Sequence, residues 1–504
     1  MKHKFIGAID QGTTSTRFIL FNFDGEAVFS RQIEHRQIFP KPGWVEHDPF
    51  EIWENTRKAV MTVLAEDNVR PSEIAAIGIT NQRETALVWD KTTGKPLHNA
   101  IVWQDTRTAD FIAELSKDGG VDRLRDKTGL TLATYFAGSK MRWLLKNSPE
   151  VKKAVTEGRA MFGTIDSWLV WKLTGGRDGG SFVTDVTNAS RTLLMDINTL
   201  KWDEELLKIF EIPEEVLPEI VPSVPSKPYG YTRADGAFGT EIPVCGILGD
   251  QQSAMFGQAC FEPGTSKNTY GTGCFMLANT GETPVKSRHG LLTTVLYKIG
   301  EQKPCYALEG SIAVAGSLVQ WVRDNLGLIK TSSDIEKLAL EVKDSGGVYF
   351  VPAFAGLFAP RWRPDARGVI TGLTGFANSS HIARAVLEST AFQTKEIFDV
   401  MQKDADIEIS ALKVDGGMTA NNLLMQFQAD LLDVPVVRPV VTETTALGAA
   451  YAAGLSSGFW DSLDQLKEHW NEDLRWVPVM EQSDRDAKTK QWNKAVERTY
   501  NWVE

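Results

Sequence analysis

Apolar residues open the chain in short runs separated by turn formers: Phe5 to Ile9, Arg17 to Phe23 and Glu26 to Ile33, with Asp24-Gly25 between the last two. Runs of this length, broken by Gly, Asp and Asn, predict strand, turn, strand, turn, strand, with a hairpin at Asp24-Gly25. Ile52, Val60, Val63 and Leu64 then fall roughly on one helical face and predict a helix from about Pro49 to Glu66. IAAIGIT, residues 74–80, is continuously apolar, the pattern of a strand covered on both faces. Strands of this kind go on alternating with amphipathic helices, which predicts an α/β fold.

Residues 218–243 are rich in Pro and Gly, carry neither period, and are expected as a connecting loop before a strand VCGIL at 244–248. A second strand–turn–strand unit follows at 265–282, with Gly271-Thr272-Gly273 at its first turn and Asn279-Thr280-Gly281 at its second. It repeats the plan of the opening unit half a chain later and predicts two related domains, 1–253 and 254–504. From Leu466 onward, charged residues mix with apolar ones at helical spacing, an expected exposed terminal helix.

Composition narrows the class without changing that outline. The 504 residues carry a net charge of −11, which argues against a general nucleic-acid binder. Cys245, Cys260, Cys274 and Cys305 form no C-x-x-C pair and are expected as buried small apolar residues in a reducing compartment. Asp10 interrupts the first apolar run before a signal-peptide core can form, and no apolar run approaches the length of a membrane span. The expectation is a cytoplasmic globular protein.

Candidate chemistry then comes from four stretches. P-loop, G-x-G-x-x-G, G-x-S-x-G and H-E-x-x-H signatures are all absent. Asp10 to Arg17 place Gly12, Thr13, Thr14, Ser15 and Thr16 at a strand end, either a polar hairpin tip or a cradle whose N–H and hydroxyl donors wrap phosphate oxygens. In the second case Asp10 would hold Mg²⁺, directly or through water, and Arg17 would add a cation. Asp250 lies just past the VCGIL strand, either as a base beside a substrate hydroxyl or as a helix N-cap. Gly416 and Gly417 suit a nucleotide laid against backbone, or simply a tight strand-to-helix turn. Arg83, Glu84 and Trp103 suit a polyol, with the two charges on its hydroxyls from opposite sides and the ring on its carbons, or a salt-bridged surface loop.

Taken in order, DQGTTS, GWVEH, TNQRET, NAIVWQDTR, GDQQ, KNTYGTG, YALEGSI, VDGG, QFQADLL and ETTALGAAY resemble the FGGY carbohydrate kinases of the actin-like ATPase superfamily, and within them the glycerol kinases. The resemblance spans residues 8–454. It implies two ribonuclease H-like domains with the active site in the cleft between them, glycerol mostly on the first and ATP mostly on the second. It further implies that Arg83, Glu84, Tyr135, Asp250 and Gln251 bind glycerol hydroxyls while Trp103 and Phe275 pack on its carbons. Thr13, Thr14, Ser15, Arg17 and Thr272 match phosphate-binding positions, Gly316, Gln320, Gly417 and Asn421 surround the nucleotide, and Asp10 and Asp250 lie near Mg²⁺. The implied reaction is ATP-dependent formation of sn-glycerol 3-phosphate, with Asp250 as base, in a homodimer or homotetramer. Another polyol or sugar as acceptor, an ATP-driven clamp without a polyol site, and an inactive reuse of the fold are the alternatives.

Departures from the family pattern concern regulation. Some members are activated by phosphorylation of a histidine in the loop before GDQQ, and no histidine occurs here between His98 and His289. Others bind fructose 1,6-bisphosphate at a loop ending Thr-Arg-Ile-Pro, where this chain has Thr240-Glu241-Ile242-Pro243. Arg361 stands where relatives usually carry an aromatic residue.

Overall fold

The opening residues form the three expected strands, β1 (Phe5–Gln11), β2 (Ser15–Phe21) and β3 (Ala27–Glu34), in the computed structural model of the chain, which describes residues 3–503. Side chains alternate along them, as strand geometry requires. Ile6, Ala8, Ile19 and Phe21 enter one apolar core, and Ile9, Phe18 and Leu20 enter another on the opposite face. Helix α1 (Pro49–Glu66) covers the second face; Asp48 caps it by accepting from the Phe50 N–H at 2.8 Å, and Pro49 supplies the preset φ of a first turn. The IAAIGIT run becomes β4 (Ile74–Asn81), buried at every position.

Two more strands complete the first sheet, β5 (Gly230–Tyr231) and β6 (Pro243–Gly249), in the order β5-β6-β4-β1-β2-β3. The expected loop at 218–243 therefore carries structure: β5 edges the sheet, and Glu219–Val221 forms a short parallel pair with Val183–Asp185. Neither segment alternates long enough for periodicity to reveal it.

The second half repeats the plan. The strands of its main sheet are β7 (Ser266–Tyr270), β8 (Cys274–Gly281), β9 (Leu292–Tyr297), β10 (Cys305–Ile312), β11 (Leu412–Asp415), β12 (Val436–Pro439) and β13 (Glu472–Trp476), ordered β9-β10-β8-β7-β11-β12-β13. As β1 pairs antiparallel with β2 and parallel with β4, so β7 pairs with β8 and β11; β4 and β6 correspond to β11 and β12. The duplication is real, but its second turn is not where the sequence pointed. Asn279 to Gly281 lie within β8, whose next neighbour is β10, because β9 is inserted on the outer edge.

The C-terminal stretch also differs from expectation. It divides into a short helix, Leu463–His469, the edge strand β13, and a last helix, Gln482–Glu497. That last helix is anchored: Trp492 is buried, stacks on Phe392 with ring centroids 4.9 Å apart, and donates its indole N–H to Glu396 at 2.7 Å. Arg361, the aromatic-to-arginine departure, joins the same anchor through Glu396, Asn493 and the Tyr500 hydroxyl.

Two helices lie between the sheets. Helix α2 (Asp250–Gly257) leaves β6 of the first sheet and packs on β7 of the second, while α3 (Thr444–Ser457) follows β12 and packs on β1, β4 and β6. They also pack on each other, at a distance only glycine permits. A Cβ on Gly448 would lie 1.8 Å from the Ser253 carbonyl oxygen and one on Gly257 2.0 Å from that of Thr444; α3 sits as close on β4, where a Cβ on Gly78 would lie 2.0 Å from the Ala449 carbonyl oxygen. The Ala- and Gly-rich run of α3 is thus the seam between the domains.

Candidate active site

The first Gly/Thr turn joins β1 to β2. Gly12 N–H donates to the Ser15 carbonyl at 2.9 Å, and amides from elsewhere hold the outer carbonyls: Gln82 Nε2 reaches Gly12 O at 3.2 Å and Gln37 Nε2 reaches Thr13 O at 3.0 Å. Carbonyls tied from outside leave the turn's remaining donors free for an anion. Thr14 is exposed, Ser15 is buried, and the Thr13 hydroxyl accepts from Trp103 Nε1 at 3.0 Å. That bond links the turn to the aromatic wall described below.

Asp10 pairs in register with Arg17, whose guanidinium bridges to Glu443 at the start of α3. Burial pushes the Asp10 carboxyl up to about 6; Arg17 opposes the shift, and Glu443 and Asp250 add to it. Its carboxylate accepts no hydrogen bond among the described residues, so it sits in a negatively charged corner with free oxygens. No group of three His, Cys, Asp or Glu side chains is arranged to hold a metal among those residues. A Mg²⁺ that keeps most of its waters and takes one carboxylate plus phosphate oxygens fits such a corner.

The second Gly/Thr turn joins β7 to β8 and is built the same way. Its Thr272 is exposed, and helix α4 (Gly316–Asp324) docks on its carbonyls: Gly316 N–H donates to Gly271 O, and Ala315 and Ser317 N–H donate to Thr272 O, each at 3.0 Å. A Cβ on Gly316 would stand 2.5 Å from Gly271 O. The Gly-Gly turn arrives beside them. Gly416 has φ +90° and crosses the Tyr270 backbone, where a Cβ would lie 2.5 Å from the carbonyl, whereas Gly417 has no positive φ and open space above it. Only one of the two glycines is required by the turn; the other leaves a bare backbone surface. The structure therefore brings Thr272, Gly316 and Gly417 together. Gln320 is exposed one helical turn along α4, and Asn421 caps the next helix, Asn422–Leu432, by accepting from Leu424 N–H at 2.8 Å.

Between the two turns lies a charged floor. Arg83 and Glu84 follow β4 and are buried, which removes the surface-loop alternative. Arg83 donates to Glu309 through Nη1 at 2.6 Å and Nη2 at 3.2 Å, and its Nε lies 3.1 Å from Asp250 Oδ1. Arg191 joins the other end, with Nε on Glu84 Oε1 at 2.6 Å and Nη2 on Glu309 Oε1 at 2.8 Å. The result is an alternating chain, Glu84–Arg191–Glu309–Arg83–Asp250, so Arg83 and Glu84 belong to one network, their side chains 3.8 Å apart, and do not face each other from opposite sides. Burial alone would raise the Glu309 carboxyl, but Arg191 and Arg83 outweigh it and hold it at about 2. Glu84 goes the other way, raised by burial that its two arginines only partly offset.

Asp250 is the first residue of α2 and not its N-cap, a place held by Gly249. Its Oδ1 accepts Gln251 N–H at 2.7 Å and lies 3.1 Å from Arg83 Nε, and no protein group donates to Oδ2 among the described residues. Over the floor stand three rings: Trp103 meets Tyr135 edge-on at 5.7 Å and Phe275 edge-on at 6.4 Å. Trp103 and Tyr135 come from the long insertion between β4 and β5, and Phe275 comes from β8. A polar floor and an apolar wall suit a small molecule with hydroxyls on one edge and carbons on the other. Sequence reasoning missed Glu309, Arg191 and Lys267, the last a buried residue of β7 whose Nζ donates to Gln251 Oε1 at 2.5 Å. The available signal was a lone charge inside a buried strand, as in YALEGSI, which folded chains tolerate only when it is paired.

Residues 5–257 match the N-terminal domain of the FGGY family of carbohydrate kinases, and residues 266–457 match its C-terminal domain. The chain belongs to the FGGY family of carbohydrate kinases. Like other FGGY enzymes it is a kinase with two actin-like ATPase domains, as the strand orders above already indicate. It is 60% identical over 502 residues to a glycerol kinase of Pseudarthrobacter chlorophenolicus and 58% identical over 504 residues to one of Clavibacter michiganensis, covering all of this chain and 99% of each relative. A Plasmodium falciparum glycerol kinase solved with ADP superposes with a TM-score of 0.92 at 44% identity, covering 99% of this chain and 98% of that one. A Lactobacillus acidophilus gluconate kinase, at 24% identity and a TM-score of 0.85, shares the FGGY fold.

Proposed function

We propose that this FGGY kinase transfers the γ-phosphoryl group of ATP to a terminal hydroxyl of glycerol, forming sn-glycerol 3-phosphate. The observation that carries the proposal is the pairing of the buried Arg83–Glu84 floor with the Trp103–Tyr135–Phe275 wall, in a chain 58–60% identical to curated glycerol kinases over its whole length. Arg83, Glu84, Tyr135 and Gln251 hold the hydroxyls, and Trp103 and Phe275 cover the carbons. ATP lies on the second domain, along Gly316, Gln320, Gly417 and Asn421. Its phosphates sit between the two Gly/Thr turns, against Thr13, Thr14, Ser15, Arg17 and Thr272.

Transfer is in line and direct. The terminal glycerol oxygen attacks the γ-phosphorus while the bond from that phosphorus to the β–γ bridging oxygen breaks, and ADP leaves with the electron pair. Asp250 Oδ2, the oxygen that neither Arg83 nor Gln251 occupies, takes the hydroxyl proton. When bound, Mg²⁺ neutralises phosphate charge, and Asp10, with Asp250, is the residue to hold it. We place the division between the glycerol and nucleotide domains at residues 253/254, inside α2. The enzyme acts as a homodimer or homotetramer in the cytoplasm, and no helix among the described residues is long and apolar enough to cross a membrane.

A coupled ADP-release assay across glycerol, dihydroxyacetone, xylulose, ribulose and gluconate tests the proposal. Glycerol should give the highest kcat/KM. A higher value with any other acceptor would reassign the substrate, and ATP turnover unaffected by every polyol would favour a clamp.

A further inference from the structure

The acceptor pocket is built mainly on loops of the first domain, yet two of the charges within it come from the second. Glu309 lies in β10 and Lys267 in β7, and both side chains are completely buried. Each reaches across the seam to a residue of the first half. Glu309 takes both terminal nitrogens of Arg83 and one of Arg191. Lys267 Nζ donates to Gln251 Oε1 at 2.5 Å, Thr269 Oγ1 at 2.7 Å and the Phe275 carbonyl at 3.4 Å, so all three of its protons are placed.

We infer that Glu309 and Lys267 are positioning residues for the acceptor, through which the second domain sets the geometry of Arg83, Asp250 and Gln251. The inference rests on the proposed polyol pocket. Neither residue is among those assigned above to acceptor, nucleotide or metal; both act through residues that are.

The physical case begins with charge. Buried Glu84 and Glu309 and half-buried Asp250 alternate with Arg83 and Arg191 in one ion-pair cluster, and buried Lys267 flanks it, within reach of the charges of Asp415, Asp250 and Glu309. Arg83 and Arg191 both point at Oε1 of Glu309, so a neutral residue there would leave two guanidiniums with no anion between them. Removing one partner of such a buried pair is strongly unfavourable because the other charge stays desolvated. Arg83 would then be left with Asp250 at 3.1 Å and Glu84 at 3.8 Å, and its freed terminal nitrogens would be drawn toward the nearer carboxylate, onto Oδ2, the oxygen assigned to proton transfer. Lys267 acts on orientation. By holding Gln251 Oε1 it turns the Gln251 NH₂ group, which has no protein acceptor among the described residues, toward other partners as a donor. By holding the Phe275 carbonyl it also fixes the base of the ring that closes the aromatic wall.

The test uses the full chain with Glu309→Gln, Glu309→Asp and Lys267→Met. It is run with whichever polyol the wild-type enzyme prefers, so a failure of glycerol as substrate stays separate from a failure of the inference. KM for the acceptor, KM for ATP, kcat and Tm are measured, together with quenching of tryptophan fluorescence by the acceptor without ATP. Glu309→Gln and Lys267→Met should each raise the acceptor KM by about tenfold or more, leave the ATP KM within about twofold, and weaken the fluorescence titration in parallel. Glu309→Asp keeps the charge and should fall between Glu309→Gln and wild type. Acceptor and ATP KM values that move together, or a lowered Tm with an unchanged acceptor KM, would reduce both residues to domain glue and overturn the inference. Should Glu309→Gln fail to fold, Glu309→Asp and Lys267→Met decide the same question.

Discussion

Replacing Gly448 with alanine probes how closely the reaction depends on the seam between the domains. The added Cβ would sit 1.8 Å from the Ser253 carbonyl oxygen, and such contacts are not seen below 3.0 Å, so α2 and α3 must separate by at least 1.2 Å (3.0 − 1.8). Helix propensity favours alanine by about 1 kcal/mol. The clash sets a rigidly held Cβ against a backbone carbonyl that cannot swing away, and overpacking of this kind costs about 3 kcal/mol, so it wins. Ser253 lies one turn beyond Asp250 on α2, and Thr444, at the other end of the contact, donates to Asp415 at 2.7 Å. The shift therefore reaches Asp250, the proposed base, at one end and the strand beneath the Gly-Gly turn at the other. A displacement near 1 Å costs roughly 100-fold in rate when it misaligns reacting groups. The Gly448→Ala enzyme should lose about that factor in kcat and, for a net cost of about 2 kcal/mol, about 4 °C in Tm, taking roughly 2 °C per kcal/mol for a chain of this size. Coupled-assay kinetics and a thermal melt read both. An alanine variant with wild-type kcat and a Tm within about 1 °C would mean that the helices slide freely, and the coupling argued from their contact would be wrong.

Asp250→Asn should retain acceptor binding by fluorescence while kcat falls by roughly 100- to 10,000-fold, since proton transfer by a positioned base is worth that much; near-normal turnover would remove Asp250 from the role. Asp166 is fully buried, held by the Thr164 and Thr184 hydroxyls, and raised to about 7 first by burial and then by Asp185. Its protonated form therefore contributes stability that is complete below about pH 4 and lost as pH rises through 7, on the order of 4 kcal/mol. Asp166→Asn cannot titrate, so its Tm should gain on wild type between about pH 4 and 7 and level off above that; a constant difference would refute the assignment. Trp492→Ala should cost about 3–5 kcal/mol in melts, through the lost stack on Phe392, with little change in the KM of either substrate. Fructose 1,6-bisphosphate should not inhibit at low micromolar concentration, because the exposed Glu241 carboxylate meets the sugar phosphates with like charge.

The parts of this protein that sequence discloses are those in which local pattern and tertiary role coincide. IAAIGIT is apolar throughout because β4 is covered by α3 on one face and by a second core on the other, and continuous burial leaves its mark residue by residue. The Gly/Thr turns are legible for a similar reason: a backbone that must tuck beneath Trp103 or dock a helix end tolerates few other residues. Strand order was not legible past Gly281, because the pairing of β8 with β10 is decided by an insertion and not by the residues of the turn. Nor was the terminal strand β13, with only Trp476 of its five residues buried, since an edge strand this exposed has no apolar alternation to reveal it. The charged floor was hidden most deeply. Glu309, Arg191 and Lys267 lie far apart in sequence; Glu309 alone looks like an error in an apolar run, while Arg191 and Lys267 sit among polar residues that give no hint of burial. Their identity is set by partners across the domain seam, so the sequence shows the charges but not the pairing. The same fact argues for function: a cluster of buried charged side chains is a costly way to join two domains that already share an apolar seam of α2 and α3. A small molecule carrying hydroxyl groups gives that cluster a purpose that packing alone does not.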